Sequence, residues 1–415
     1  MLSSRHAVSL CALALLLMGV VMVQSAGLDA GTEAVVPLTL RSIALSQPAL
    51  YALMAIAALL IAQTHPAQRL LSGFLDAKWT ARSWWVLVAL LIICLLPYVP
   101  GVGRSINGAQ RWIGVDVPGV GRVGLQPSEL AKWGVVLMLA RYGASLAGKE
   151  QSFTRTLLPG LLGAGVVAMI IAKEDLGTAV LIAVTAGVML LGAGVGFWRM
   201  MSLTPVAGLL VAVGVLIEPY RIRRLTTFLD PFADPQNAGF HMIQSMAAIS
   251  GGGVFGRGLG FGIQKFGYLP EDQNDFLFAV ICEELGLAGA ALTLALEFGL
   301  IVGVFCVLRR VVTPAAKLLC LGVMTTLGVQ AAINLLAVTG LGPTKGIALP
   351  LLSAGGTGWV LTAGMLGLVA GREAFSDETA EAGTEPEAVT EPSPPPAIVT
   401  RPVRPARPEQ LGLFP

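Results

Sequence analysis

The stretch YLPEDQNDFLFAVICEELG, residues 268–286, places five carboxylates in a chain otherwise poor in charge. Asp275 opens an apolar run, with Glu271 and Asp272 just upstream. Carboxylates crowded at a dry boundary raise at least one pKa, and a carboxylate so raised can act as a general base. A simpler reading makes Asn274 or Asp275 a helix cap that satisfies free N–H groups. That reading leaves Glu271 and Asp272 unexplained. Glu283 and Glu284 follow roughly 12–13 Å further along a helix. Carboxylates within a membrane are costly and default to a functional or paired role. For these two an interhelical polar clamp explains the residue types slightly better than catalysis does.

Three further stretches carry charge into apolar surroundings. In GLQPSELAKWG, Glu129 and Lys132 are spaced i, i+3 on one helical face and can pair. They read as a salt bridge, or as the wall of an outward polar cavity with Arg111 above it. Pro127 suits the first helical position, and Gln126 or Ser128 the cap. In KEDLGTA, Glu174 and Asp175 precede a helix, where the N-terminal dipole favours acid. Capping explains them as well as ligand binding does. NLLAVTGLGPTKGIALPLLSAGGTGW, with Lys345, predicts irregular backbone at membrane depth, tolerated only where protein buries it or a cavity adjoins it. Arg221, Arg223, Arg224 and Arg257 add cations in one long polar region. Cations suit phosphate, greasy walls suit a lipid tail, and a carboxylate suits deprotonation of a hydroxyl. A lipid-linked pyrophosphate sugar has all three features. A lipid flippase would satisfy most of them too.

The elements that must position these groups are membrane helices. Of 415 residues, 55% are hydrophobic and 13% charged, against about 25% charged in soluble proteins. The apolar residues cluster into ten blocks, roughly 7–27, 49–63, 84–99, 127–145, 156–172, 177–195, 200–218, 276–308, 317–338 and 350–371. The expected fold is therefore an all-α integral membrane protein with about ten spans. A large loop, about 219–275, joins the seventh and eighth. The first block, preceded by Arg5, is longer than a secretory signal core and reads as a retained helix. With the N-terminus in the cytoplasm, inside cations are spread over the short loops and outside cations concentrate in a few long ones. Long loops translocate largely regardless of charge. Both termini are thus expected in the cytoplasm, with the large loop outside. The acidic, Pro-rich and then basic tail from 374 to 415 cannot bury enough apolar surface to fold and is expected to be a disordered cytoplasmic extension. The five cysteines lack metal or disulfide spacing and read as buried small hydrophobes.

Six stretches, NGAQRWI, QPSELAK, EDLGTA, DPFADPQNAGFHMIQSMAAISGGGVFGRGLG, YLPEDQNDFLFAVICEELG and TGLGPTKGIALPLLSAGGTG, resemble in order the SEDS family (shape, elongation, division and sporulation) of FtsW, RodA and SpoVE. IQKFGYLPE and TGLGPTKG look more like the FtsW and SpoVE branch. The resemblance implies ten helices and a peptidoglycan glycosyltransferase that polymerises lipid II and releases undecaprenyl pyrophosphate, in cell division or cell shape. It implies a class B penicillin-binding protein as partner, alongside other divisome or elongasome proteins of the bacterial inner membrane. No nucleic acid is indicated. The family's essential aspartate falls on Asp275, its cavity pair on Glu129 and Lys132, its acid before LGTA on Asp175, and its loop arginine on Arg111. Arg221, Arg223, Arg224 or Arg257 would then meet the departing pyrophosphate, with Glu271 and Lys345 beside the substrate. No cofactor is required, and a divalent cation such as magnesium has no evident ligand set. Three departures stand out: QNDF for HTDF, Glu174 for proline before DLGTA, and SAGGTG for SYGGSS, with Ala354 in place of an aromatic. The competing readings are a lipid II flippase and a non-catalytic divisome scaffold.

Overall fold

The computed structural model describes residues 3–27, 43, 46–106, 109–117, 121–147, 157–265, 273–354 and 356–382. Each of the ten apolar blocks forms helix. In chain order these are α1 (Ser4–Ala26), α2 (Gln47–Ala62), α3 (His65–Leu75), α4 (Trp85–Leu95), α5 (Pro127–Ala144), α6 (Leu158–Ala172) and α7 (Leu176–Gly192). They continue with α8 (Phe197–Met201), α9 (Thr204–Leu216), α10 (Pro219–Leu229), α11 (Phe240–Gly251), α12 (Leu277–Arg310), α13 (Pro314–Val338) and α14 (Thr357–Ala382). Among the described residues, four helical stretches are individually long and apolar enough to cross a membrane: α1, α8–α9, α12 and α13. A fifth arises if α2 and α3, bent by 70°, count as one.

α13 is the central post. It packs against α5, α7, α11 and α12, while α1 lies along α12. Val323, Leu327, Leu319 and Cys320 of α13 are fully buried, as are Leu15 and Leu16 of α1. α9 is the opposite case and buries no residue against the rest. Near the start of α1, the Arg5 N–H donates to Glu373 of α14 at 2.8 Å, and Arg310 at the end of α12 pairs with the same carboxylate.

The structure departs from the sequence reading in two places. The AQRWI part of NGAQRWI lies in a three-stranded antiparallel sheet, β1 (Gly103–Ile106), β2 (Ala109–Val117) and β3 (Gly121–Leu125), so the fold is helical with one small sheet. Arg104 pairs with Trp112, and Val115 with Val123. Alternating Arg, Trp, Ile and Val suits a pleated, half-buried surface. The last helix also continues past 374 to Ala382, and the first compact unit runs Met1–Asp377. Residues 383–415 of the tail lie outside the described residues.

Candidate active site

Asp275 stands at the mouth of a short half-helix. α12 is interrupted at Gly286, whose φ of 67° and ψ of −158° lie outside the helical region. Only glycine adopts such a conformation readily. Residues 276–284, before the break, are all buried. The groups freed by the break must find partners, because buried backbone is costly unpaired. They find them in the Gly-rich segment after α11. The N–H groups of Arg257 and Gly258 donate to the carbonyls of Glu283 and Glu284, each at 2.9 Å. Leu287 and Ala288 donate in return to Gly253 and Val254 at 3.0 and 3.3 Å. A Cβ at Gly252 would collide with the Cys282 carbonyl, and one at Gly256 with that of Glu284.

Glu283 and Glu284 complete this junction from inside. Glu283 accepts from the Ile263 and Gln264 N–H groups at 2.9 and 3.1 Å and lies 3.6 Å from the Arg257 guanidinium. Glu284 accepts from Ser25 Oγ at 2.7 Å, the Gly260 N–H at 3.0 Å and the Gly262 N–H at 3.3 Å. Its ion pair with Lys265, at 2.8 Å, has both side chains fully buried. Lys265 also donates to the Ser25 carbonyl at 3.0 Å, at the end of α1, where the helix dipole favours a cation.

Asp275 itself is half-buried, and the residue at the cap position of α12 is Phe276. The Asp275 carbonyl accepts from Asn334 Nδ2 of α13 at 2.8 Å. The same nitrogen donates to the Ile347 carbonyl at 2.8 Å. One turn earlier, Gln330 donates to the Ala348 carbonyl at 2.9 Å and accepts from Lys132 Nζ at 2.9 Å. Lys132 is 1% exposed and pairs with Glu129 at 2.7 Å, closing the predicted i, i+3 pair. Asp275, Lys132 and the segment around 344–348 are thus joined by two neutral amides on one helix. Ala354, the residue in place of an aromatic, donates its N–H to the Gln273 carbonyl at 2.9 Å, beside Asp275.

Lys345 is half-buried in that segment. Burial pulls its ammonium below its ordinary pKa; the neighbouring Asp175 carboxylate opposes this, while Arg224 and Arg221 add to it. Asp175 caps α7, accepting from the Thr178 N–H at 3.0 Å and Thr178 Oγ1 at 2.8 Å. The capping alternative therefore describes its side chain directly.

The grouped arginines part company. Arg221 forks onto three carbonyls, of Gly214, Ala172 and Lys173, at 2.7–2.8 Å, and so seals the ends of α6 and α9. Arg257 is engaged at the junction with Glu283. Arg223 is exposed, and Arg224 donates to the Thr344 carbonyl at 3.0 Å, next to Lys345. Of the four, Arg224 lies nearest in chain contact to the candidate site. Arg111 lies in β2, with its side chain outside the described set, and Glu271 lies outside the described residues. Among the described residues no group of three His, Cys, Asp or Glu side chains could hold a metal ion. Gln330, Asn334, Ser25 and Lys265 were not singled out from sequence. Gln and Asn one turn apart in GVQAAINLLAV were the available signal.

A helical membrane protein with a broken span, carrying acid and base at one end of its central post, defines a class, and comparison with known proteins narrows it. The family model described as "Cell cycle protein", covering FtsW, RodA and SpoVE, matches residues 5–377, and the chain belongs to that family. It is 39% identical over 302 residues to a probable peptidoglycan glycosyltransferase FtsW of Halothiobacillus neapolitanus, covering 71% of this chain and 70% of that one. It is also 39% identical over 292 residues to stage V sporulation protein E of Bacillus subtilis, covering 68% and 77%. Its fold matches a chain of a peptidoglycan synthase complex with a TM-score of 0.66 at 24% identity, over 89% of this chain and 97% of that one. The rod shape determining protein RodA of Thermus thermophilus matches with a TM-score of 0.60 at 23% identity, over 89% and 96%.

Proposed function

We propose that this chain is a peptidoglycan glycosyltransferase that polymerises lipid II in a bacterial cytoplasmic membrane, with Asp275 as its general base. The observation that carries the reading is the placement of a carboxylate and an ammonium, Asp275 and Lys345, on two segments tied together by the single amide of Asn334. The names of the curated relatives supply the reaction class.

Asp275 takes the proton from the 4-hydroxyl of the acceptor sugar. The freed oxygen attacks the anomeric carbon of the donor from the side opposite its pyrophosphate. The carbon–oxygen bond to pyrophosphate breaks, and undecaprenyl pyrophosphate leaves as the anion with inversion at carbon. One base suffices because pyrophosphate needs little protonation to leave, unlike the leaving group of a glycosidase. Lys345 and Arg224 are the cations aimed at the developing charge, the kind of preorganised electrostatics that lowers such barriers. Arg111 and Glu271 are further substrate-binding candidates on the family resemblance alone. With the ten spans expected from the sequence, the reading puts the site on the extracytoplasmic side and both termini inside. A class B penicillin-binding protein is the partner that cross-links the emerging strand.

The test is turnover of labelled lipid II by the purified full chain, with and without a class B penicillin-binding protein. The expected result is a glycan ladder with one undecaprenyl pyrophosphate released per bond formed. Movement of lipid II across vesicle bilayers, with no polymer under any partner, overturns the reading in favour of a flippase.

A further inference from the structure

α13 carries Gln330 and Asn334 one turn apart in an otherwise apolar run, and both are buried. An amide nitrogen has two hydrogens to donate. Asn334 commits both, one to the Asp275 carbonyl and one to the Ile347 carbonyl, each at 2.8 Å. These two segments are far apart in sequence, and each carries one charged group of the proposed site. Gln330 repeats the arrangement a turn away, holding the Ala348 carbonyl with its nitrogen and Lys132 with its oxygen. The Asn334 Oδ1 oxygen, by contrast, is buried with no hydrogen-bond partner among the described residues. A buried acceptor without a donor is unfavourable, and an apolar side chain would avoid it. What the asparagine contributes is therefore its two donors.

We propose that Asn334 is a positioning residue for Asp275: its amide fixes the main chain beneath the carboxylate and sets its distance from the Lys345 segment. The inference rests on the reading of Asp275 as the base. The turn at 273–276 is held from α13 at the Asp275 carbonyl and from the start of the last helical region at the Gln273 carbonyl, which accepts from the Ala354 N–H. Removing the Asn334 donors releases the first hold and unties the Ile347 segment at the same time. Gln330 extends the hold to the Glu129–Lys132 pair, so the three charged elements share one rigid reference. A misplacement of about 1 Å costs about 100-fold in rate.

The experiment uses the full chain, with a class B penicillin-binding protein where the wild type needs one, and lipid II as substrate. Asn334→Ala removes the donors, and Asn334→Asp removes them at constant shape. Each is measured for kcat and KM per folded molecule after size exclusion, and each is combined with Asp275→Glu. The expected result is a fall in kcat of about 100-fold with KM within about threefold. The losses should also combine less than additively with Asp275→Glu, because the two residues act on one geometry. Wild-type kcat per folded molecule, with loss only in folded yield, overturns the inference, as does full additivity. Asp275→Asn runs alongside. If it is inactive while Asn334→Ala has wild-type kcat, the inference alone falls. If Asp275→Asn is active, the base reading falls and takes the inference with it.

Discussion

Glu284 and Asp275 lie at opposite ends of one buried half-helix, and the protein holds them in opposite ways. Glu284 is held by its carboxylate. Four donors, from Ser25, Gly260, Gly262 and Lys265, converge on its two oxygens, and the side chain is fully buried. Asp275 is held by its carbonyl, through Asn334, and remains half-buried. The difference separates two uses of charge. A saturated, dry carboxylate locks the Gly-rich segment and the end of α1 to the broken helix. At Asp275 the main chain is gripped from α13, so the fold itself sets the point from which the side chain projects. The arginines divide in the same way. Arg221 fastens helix ends, whereas Arg224 sits beside Lys345.

Substitutions that attack the fastening side test this contrast most severely. Gly256→Val drives side-chain atoms into the Glu284 carbonyl and forces a left-handed glycine, φ 74°, onto a β-branched residue. We expect no monodisperse protein by size exclusion. Glu284→Ala leaves the Lys265 ammonium buried without its counter-charge, a loss of about 3–5 kcal/mol. Thermal unfolding should show that loss, and Glu284→Met combined with Lys265→Met should recover only part of it, because the Ser25 hydroxyl and the Gly260 and Gly262 N–H groups still lose their acceptor. Arg221→Ala forfeits three charged hydrogen bonds to helix-end carbonyls and should cost about 1.5–3 kcal/mol or more. Arg221→Lys should recover only part, because an ammonium does not fork as a guanidinium does.

Lys345 sharpens the other side of the contrast. Burial holds its ammonium below the ordinary lysine pKa, so the charged form is disfavoured in the folded chain. The destabilisation is complete below the depressed folded pKa and fades as pH rises towards the unfolded value. Lys345→Met should therefore melt slightly higher than wild type at neutral pH, with the gap closing in alkali. The same variant should lower kcat for lipid II polymerisation about tenfold, through loss of one charge-assisted contact to the charge developing on pyrophosphate.

Much of this architecture was legible in the sequence because membrane helices announce themselves by composition. All ten apolar blocks became helix, and the Glu129–Lys132 spacing produced the pair. Glu283 and Glu284 could be read as a clamp because carboxylates in a dry run need partners. Lys265 and Ser25, which supply part of those partners, come from segments distant in the chain, and no local pattern points to them. The break at Gly286 was hidden for a related reason. FLFAVICEELGLAG reads as uninterrupted helix, and only the docking of the 252–262 segment makes a left-handed glycine there favourable. The sheet at 103–125 was missed because its short strands lie between two strong helical blocks. The arginines were grouped by charge alone, and charge cannot distinguish a guanidinium that caps a helix from one that waits for a ligand.

The central claim is that Asp275, and not the acid clamp beyond it, performs the chemistry. The measurement that tests it most directly is the rate of lipid II polymerisation by Asp275→Asn and by wild type, per folded molecule and with the same class B partner. The account predicts polymer from the wild type and a fall of at least about 100-fold in the variant, with an unchanged melting temperature. Polymer from the variant at the wild-type rate would contradict it and return Asp275 to the role of a residue at a helix start.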